Sequence, residues 1–309
     1  ARAFQLAKDP EHPAENQDAF AFDSDQGIAA VADGVASAIF SGVWAETLVQ
    51  ATVRQPPDPD NPIQFAAWLA ECRRQWTERI DTTGLAWFQK AKLPTGAFST
   101  LLWMQLFPLE SEQAGSFGGF RLLARAIGDS CLFHVRHGEL LRSFPMASAA
   151  EFENNPLALG SVDLGRDSLM RFATFDVTCY PDDLQLLTTD AVGEWLYRCV
   201  EAGAPPVWST LWETDATAWG ERMDSLRATR DMRYDDATLL ALQITNAADR
   251  GAKPEQKPEQ KPDAPVSDVS SPTKAALDQI ADGFGQLADE SIRAGQTLFN
   301  RLRDRFRNR

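Results

Sequence analysis

The chain has 309 residues, 44% of them hydrophobic and nine of them tryptophan, enough for one large domain or two ordinary ones around a substantial core. Its net charge of −14 belongs to the first 250 residues, because residues 251–309 hold ten Lys/Arg against nine Asp/Glu. A body this acidic repels phosphate backbones, which excludes a general nucleic-acid binder and suits capture of cations and basic protein segments.

Residues 19–32 read as a β-hairpin, with Ala19–Phe22 and Ile28–Val31 flanking the turn-forming run Asp23-Ser24-Asp25-Gln26-Gly27. An apolar stripe of Ile39, Val43, Leu48 and Val49 predicts a helix over 38–53. The proline-rich segment at 56–62 ends it, and a second helix is expected over roughly 62–91. Strands are expected at Phe98–Phe107, Gly119–Ile127, Cys131–Val135, Glu139–Phe144, Phe172–Val177, Leu184–Thr188 and Ala237–Ile244, with a helix over Val192–Val200. The stretch 145–170 reads as an irregular loop. Helices early and late with strands between them indicate an α+β protein, in which helices cover antiparallel sheet.

The body is expected to end near Asn246. A Pro/Lys/Glu-rich linker over 247–272 follows, then an amphipathic helix over 273–309 with a basic end suited to a protein partner or a membrane surface. Cys72, Cys131, Cys179 and Cys199 lack C-x-x-C spacing, so neither a disulfide framework nor a zinc site is expected. Scattered thiols suit a reducing compartment. With no signal-peptide pattern and no apolar run near the ~20 residues of a membrane helix, the expectation is cytoplasmic.

Four acidic segments carry the chemistry: Asn16-Gln17-Asp18, Asp33-Gly34, Thr189-Asp190 and Asp235-Asp236-Ala237-Thr238. Each adjoins an apolar, strand-like run, where a sheet can aim a carboxylate. Gathered carboxylates repel unless a cation neutralises them, and oxygen-only ligands select hard ions such as Mg²⁺ or Mn²⁺. Two such ions suit hydrolysis of a phosphate ester by a metal-bound water.

In their order along the chain these segments resemble the metal-dependent protein phosphatases of the protein phosphatase 2C type, bacterial members included. Two further matches are the small-residue strand start Thr95-Gly96-Ala97-Phe98-Ser99-Thr100 and the turn Ala126-Ile127-Gly128-Asp129-Ser130. The resemblance spans about residues 10–245. It implies a four-layer αββα sandwich of two antiparallel sheets flanked by helices, and a serine/threonine phosphoprotein phosphatase in which a hydroxide bridging two metals attacks phosphorus. It further implies that Asp33 bridges the metals, that the Gly34 carbonyl binds one, that Asp190 and Asp235 complete the second, that Asp129 helps hold a third, and that Asp18 orders metal-bound water. Partners implied are a phosphoprotein and a cognate Ser/Thr kinase. The arginine expected just before Asn16 to hold the substrate phosphate is missing; Lys8 and His12 are the available cations, and His12, stiffened by Pro13, is the preferred substitute. Val35-Ala36-Ser37 after Gly34, Ala191 after Asp190 and Cys131 after Ser130 also depart from the pattern. These departures support the alternative of a pseudophosphatase that docks a kinase or regulator.

Overall fold

The computed structural model describes residues 1–109, 118–152, 156–165 and 170–245. The expected linker and C-terminal helix lie outside the described residues.

Two five-stranded antiparallel sheets lie face to face. The first runs β1 (Arg2–Leu6), β12 (Ala237–Gln243), β11 (Leu184–Thr188), β7 (Cys131–Arg136), β8 (Glu139–Phe144). The second runs β10 (Ala173–Cys179), β6 (Phe120–Ile127), β5 (Leu101–Pro108), β3 (Ile28–Asp33), β2 (Asp18–Asp23). Two-residue strands β4 (Phe98–Ser99) and β9 (Leu159–Gly160) pair beside them.

Strand periodicity accounts for the layering, since alternate side chains leave a strand on opposite faces. On β5, Leu102 and Met104 pack between the sheets, whereas Leu101 and Trp103 pack outward against helices. On β12, Leu240 faces inward while Leu239 and Ala241 face outward. The central strands are therefore apolar on both faces, and three cores result. One lies between the sheets, around Val31, Leu122, Phe144 and Leu187. One lies under α1 (Ser41–Arg54) and α2 (Pro62–Arg79), around Trp44, Leu48, Leu69 and Trp76. The third lies under α4 (Asp190–Glu201), α5 (Trp208–Glu213) and α6 (Ala216–Thr229), around Trp195, Trp208 and Trp219. The result is the αββα sandwich.

Local chemistry sets the helix ends. Pro62 occupies the first turn of α2, and Asn61 caps it by accepting from the Gln64 amide at 3.2 Å. The helix expected over 62–91 is two helices, because Ile80-Asp81-Thr82-Thr83-Gly84 interrupts it before α3 (Trp87–Lys92). Asp81 turns back onto the Thr83 amide, and Gly84 takes a left-handed conformation with φ 74°. The first helix starts at Ser41 rather than 38, after Phe40 with φ 56°. Four elements go beyond the sequence reading: β1, α5, α6 and the two-residue β9, which lies inside the stretch 145–170 read as an irregular loop. β1 is five residues on a sheet edge, and the apolar stripe of α6 is only Trp219, Met223 and Leu226.

All described strands and helices lie before residue 246 and enclose their own cores. Residues 1–246 alone are accordingly expected to unfold in one cooperative thermal transition. Aggregation of that fragment would place the remaining segment inside the core.

Candidate functional site

The β2–β3 hairpin sets Asp18 directly opposite Asp33 across the sheet. Like charges in that position cost stability, so the backbone around them has to be held. Asp33 is braced from the junction of β4 and β5: its amide donates to Thr100 Oγ1 at 2.9 Å, and its carbonyl accepts from the Thr100 amide and Ser99 Oγ, each at 2.9 Å. Ser130 Oγ lies 2.8 Å from Thr100 Oγ1, so the Gly128-Asp129-Ser130 turn supports the same brace. Gly128 is required there, because its φ is 95° and a Cβ would fall 2.5 Å from Thr100. Three sequence motifs thus converge on one backbone position. The turn also delivers Asp129, which is buried.

Asp18 and Asp190 are joined through Thr189. The Thr189 hydroxyl donates to Asp18 Oδ2 at 2.7 Å and accepts from the Thr238 amide at 3.1 Å. Thr189 precedes α4 without capping it, since its hydroxyl is already engaged. Asp190 opens α4, where the helix N-terminus favours negative charge. Its carboxylate pairs with the Arg233 guanidinium, which also contacts Glu194 at 2.6 Å. The sequence reading overlooked Arg233. Its position two residues before the Asp235-Asp236 pair was the available signal.

Asp235 and Asp236 have different surroundings. Asp236 is buried and clamps two backbone amides, those of Lys8 at 2.7 Å and Gln17 at 2.9 Å. Asp235 is 40% exposed, and its main-chain carbonyl is held by Arg227, which also binds the carbonyls of Leu6 and Ala7. Lys8 Nζ bonds Gln17 Oε1 at 3.0 Å and lies 3.4 Å from Asp235. Of the two cations considered before Asn16, Lys8 stands at the carboxylates. His12 stands apart, 59% exposed and paired with Asp9 at 2.8 Å. The charges that raise the His12 pKa, after the Asp9 hydrogen bond, are those of Asp9 and Glu15.

Gly34 continues this arrangement. Its amide donates to the Gln17 carbonyl at 3.0 Å, and a Cβ would lie 2.8 Å from the backbone of Gln17 and Ser41. Beside Asp18 opens a cavity of about 1020 Å³ lined by Lys8, Asn16, Gln17, Phe40, Val43 and Phe88.

Comparison with known proteins decides the family. The family model described as protein phosphatase 2C matches residues 12–190, more than half of the chain. The chain belongs to the protein phosphatase 2C family. It is accordingly an enzyme of the protein-serine/threonine phosphatase class. No curated protein matches it. Similar solved structures include the photosystem II phosphatase PBCP, at 16% identity and TM-score 0.49, covering 79% of this chain and 97% of that one. Another is the catalytic domain of the serine/threonine phosphatase PstP with two manganese ions, at 17% identity and TM-score 0.48, again covering 79% and 97%. A third is the phosphatase MsPP from Mycobacterium smegmatis with cacodylate, at 18% identity, TM-score 0.45 and the same coverage. At such identities and TM-scores, these likenesses decide neither substrate nor metal.

The phosphatase's carboxylates act on one another through space. Burial, then the charges of Asp18, Asp190, Asp129 and Asp235, raises the Asp33 carboxyl well above its usual range. Burial raises Asp190 too, with Arg233 opposing it and Asp235 adding to it. Asp18 is pushed up to about 8, first by burial and then by Asp190 and Asp236, against the hydroxyls of Thr189 and Thr238. Among the described residues, no three of these carboxylates bring oxygens within 4.8 Å of one another; the group that meets this test is His134, Cys179 and Asp183. Among the described residues, no helix is long and apolar enough to cross a membrane.

The raised pKa of Asp18 has a definite sign. The folded state keeps its proton up to about pH 8, whereas the unfolded state releases it near 4. In EDTA the protein is therefore expected to lose stability as pH rises from about 4 to 8, this one group contributing at most about 1.4 kcal/mol per pH unit. Chemical denaturation at several pH values checks it, and Asp18→Asn is expected to flatten the dependence.

Proposed function

We propose that this phosphatase hydrolyses phosphoserine and phosphothreonine monoesters in proteins with the aid of two divalent cations, Mn²⁺ or Mg²⁺. The observation that carries the reading is the convergence of Asp18, Asp33, Asp129, Asp190 and Asp235 from the ends of strands in both sheets, each of Asp18, Asp33 and Asp190 held above its usual pKa. The donors are oxygens alone, which suits hard cations and not soft ones. Asp33 and the Gly34 carbonyl would hold ions together with Asp190 and Asp235, and Asp129 with Asp190 would serve a third. When bound, the ions activate water for in-line attack on phosphorus and offset the charge of the phosphate.

The remaining residues position and bind. Asp18, fixed by the hydroxyls of Thr189 and Thr238, orders the attacking water. Lys8 supplies a positive charge at the mouth of the cavity for a phosphate oxygen, as a point charge rather than a guanidinium fork. The acidic body favours basic phosphoprotein segments, such as the products of a cognate Ser/Thr kinase in the cytoplasm.

The test is phosphate release from a phosphothreonine peptide by the full chain, with Mn²⁺ titrated in and EDTA as control. Saturable, Mn²⁺-dependent release is expected. Metal binding without release would instead make the protein a docking module for a kinase or regulator. Asp33→Asn and Asp190→Asn are each expected to lower kcat/KM by several orders of magnitude while the metal-free Tm stays level or rises, because a repelling charge has gone. Unchanged turnover in either variant would sink the two-ion assignment.

Arg233 makes a separate prediction with opposite signs. It neutralises Asp190 and Glu194 in the metal-free chain and resists an arriving cation. Arg233→Gln is expected to destabilise the metal-free protein by about 1–2 kcal/mol. The same change should tighten Mn²⁺ binding about tenfold, measured by calorimetry.

A further inference from the structure

A second constellation lies at the other end of the sandwich, about 15 Å of strand away from Asp190. Cys179 ends β10, Asp183 immediately precedes β11, and His134 reaches them from β7. His134 Nε2 lies 2.8 Å from Asp183 Oδ2 and 3.9 Å from Cys179 Sγ. One donor atom from each residue falls within 4.8 Å of the other two, and all three side chains are buried. Gln185 sits beside them, in register with His134 on the neighbouring strand. Its Nε2 is 3.5 Å from Cys179 Sγ, and its Oε1 is buried with no hydrogen-bond partner.

A purely structural network explains part of this cluster. Arg136 binds both oxygens of Asp183, at 2.7 and 2.8 Å, and the Tyr180 amide adds a third bond at 2.9 Å. Burial opposes ionisation of Asp183, yet Arg136 and His134 hold its carboxyl well below the usual range. The network does not account for Gln185 Oε1, a buried acceptor with no hydrogen-bond partner, which is costly to leave unpaired. Nor does it account for a thiol placed against an imidazole and a carboxylate. One ion would engage His134, Cys179 and Asp183 together, and the Gln185 amide, turned so that Oε1 rather than Nε2 faces Cys179, would add a fourth donor.

We propose that His134, Cys179, Asp183 and Gln185 form a binding site for a zinc-class cation that ties the two sheets together. The donor set of one imidazole nitrogen, one thiolate sulfur and two oxygens suits borderline-soft Zn²⁺ and disfavours Mg²⁺ and Mn²⁺. Arg136 stays behind Asp183 and fixes its orientation, as the outer hydrogen-bonding partners of metal ligands do. A cavity of about 440 Å³ bordered by His134, Arg136, Arg142 and Thr178 offers the entry path. On binding, the proton on His134 Nε2 gives way to the ion with the ring protonated at Nδ1, and the thiol proton leaves to solvent. Because the thiol proton is released on binding, affinity should rise with pH across the neutral range.

The experiment loads the full chain with Co²⁺ as a spectroscopic stand-in for Zn²⁺, with excess Mg²⁺ present to fill the acidic site. The expected result is one equivalent of Co²⁺ with a near-ultraviolet thiolate charge-transfer band. The band should vanish in Cys179→Ser and survive in Cys199→Ser. Should Cys179→Ser fail to fold, Gln185→Leu serves, since it removes an unpartnered oxygen; it is expected to weaken Zn²⁺ binding at least tenfold. Absence of the band in the wild-type chain, its persistence in Cys179→Ser, or undiminished affinity in Gln185→Leu overturns the site. None of these readouts involves phosphatase activity, so the outcome stands apart from that of the acidic site.

Discussion

Mutual repulsion among Asp18, Asp33, Asp129, Asp190 and Asp235 is the force that the surrounding structure has to resist. Burial removes the water that would screen these charges, and burial together with neighbouring carboxylates pushes Asp18, Asp33 and Asp190 toward the protonated form. Strand backbones provide the resistance. Thr100 and Ser99 grip Asp33 from the junction of β4 and β5, Ser130 grips Thr100, and Thr189 spans from Asp18 to β12. Lys8 and Arg233 provide partial neutralisation from within the chain. The site is therefore braced by its backbone and incompletely compensated within the chain, the condition under which the proposed divalent cations would complete the balance.

The two sheets serve both ends of this arrangement. Their central strands are buried on both faces, which fixes register, because a slip of one residue would exchange the inner and outer side chains. With register fixed, the residues just past the strand ends are placed to within hydrogen-bonding tolerance. One end of the sandwich gathers hard oxygen donors, and the other gathers nitrogen and sulfur with oxygen. Ions of different softness can be sorted between them by donor type rather than by affinity alone.

Much of this was legible in the sequence, for identifiable reasons. The hairpin, β5 to β8, β11 and β12 are apolar runs punctuated by Gly, Asp and Asn, and both the period and the punctuation survive in one dimension. The acidic motifs were legible because each adjoins such a run. What stayed hidden is what only tertiary contact defines. The edge strand β1 has too few residues to show a period, and α6 buries only a narrow stripe. The 62–91 segment carried helix-forming residues up to Thr82-Thr83-Gly84, where a local turn prevailed over propensity. The difference between Lys8 and His12 depends on how the 8–17 segment bends back onto Asp236. Arg233 and the His134–Cys179 contact join residues more than forty positions apart, with no spacing rule to announce them.

The clamp of Asp236 on the Lys8 amide joins residues 228 positions apart, and β1 pairs with β12, the last described strand. Closing so long a loop is among the slower events available to a folding chain. A growing polypeptide would carry Asp18, Asp33 and Asp129 long before Asp190 and Asp235 are synthesised, and those early carboxylates stay solvated and weakly interacting in the meantime. The last strand brings Asp235 to the other carboxylates and at the same time supplies Leu239, Leu240 and Ala241 to the cores. The acidic centre is thus completed by a latch between Lys8 and Asp236, and a chain interrupted before Asp235 would lack one of the carboxylates proposed to hold a cation.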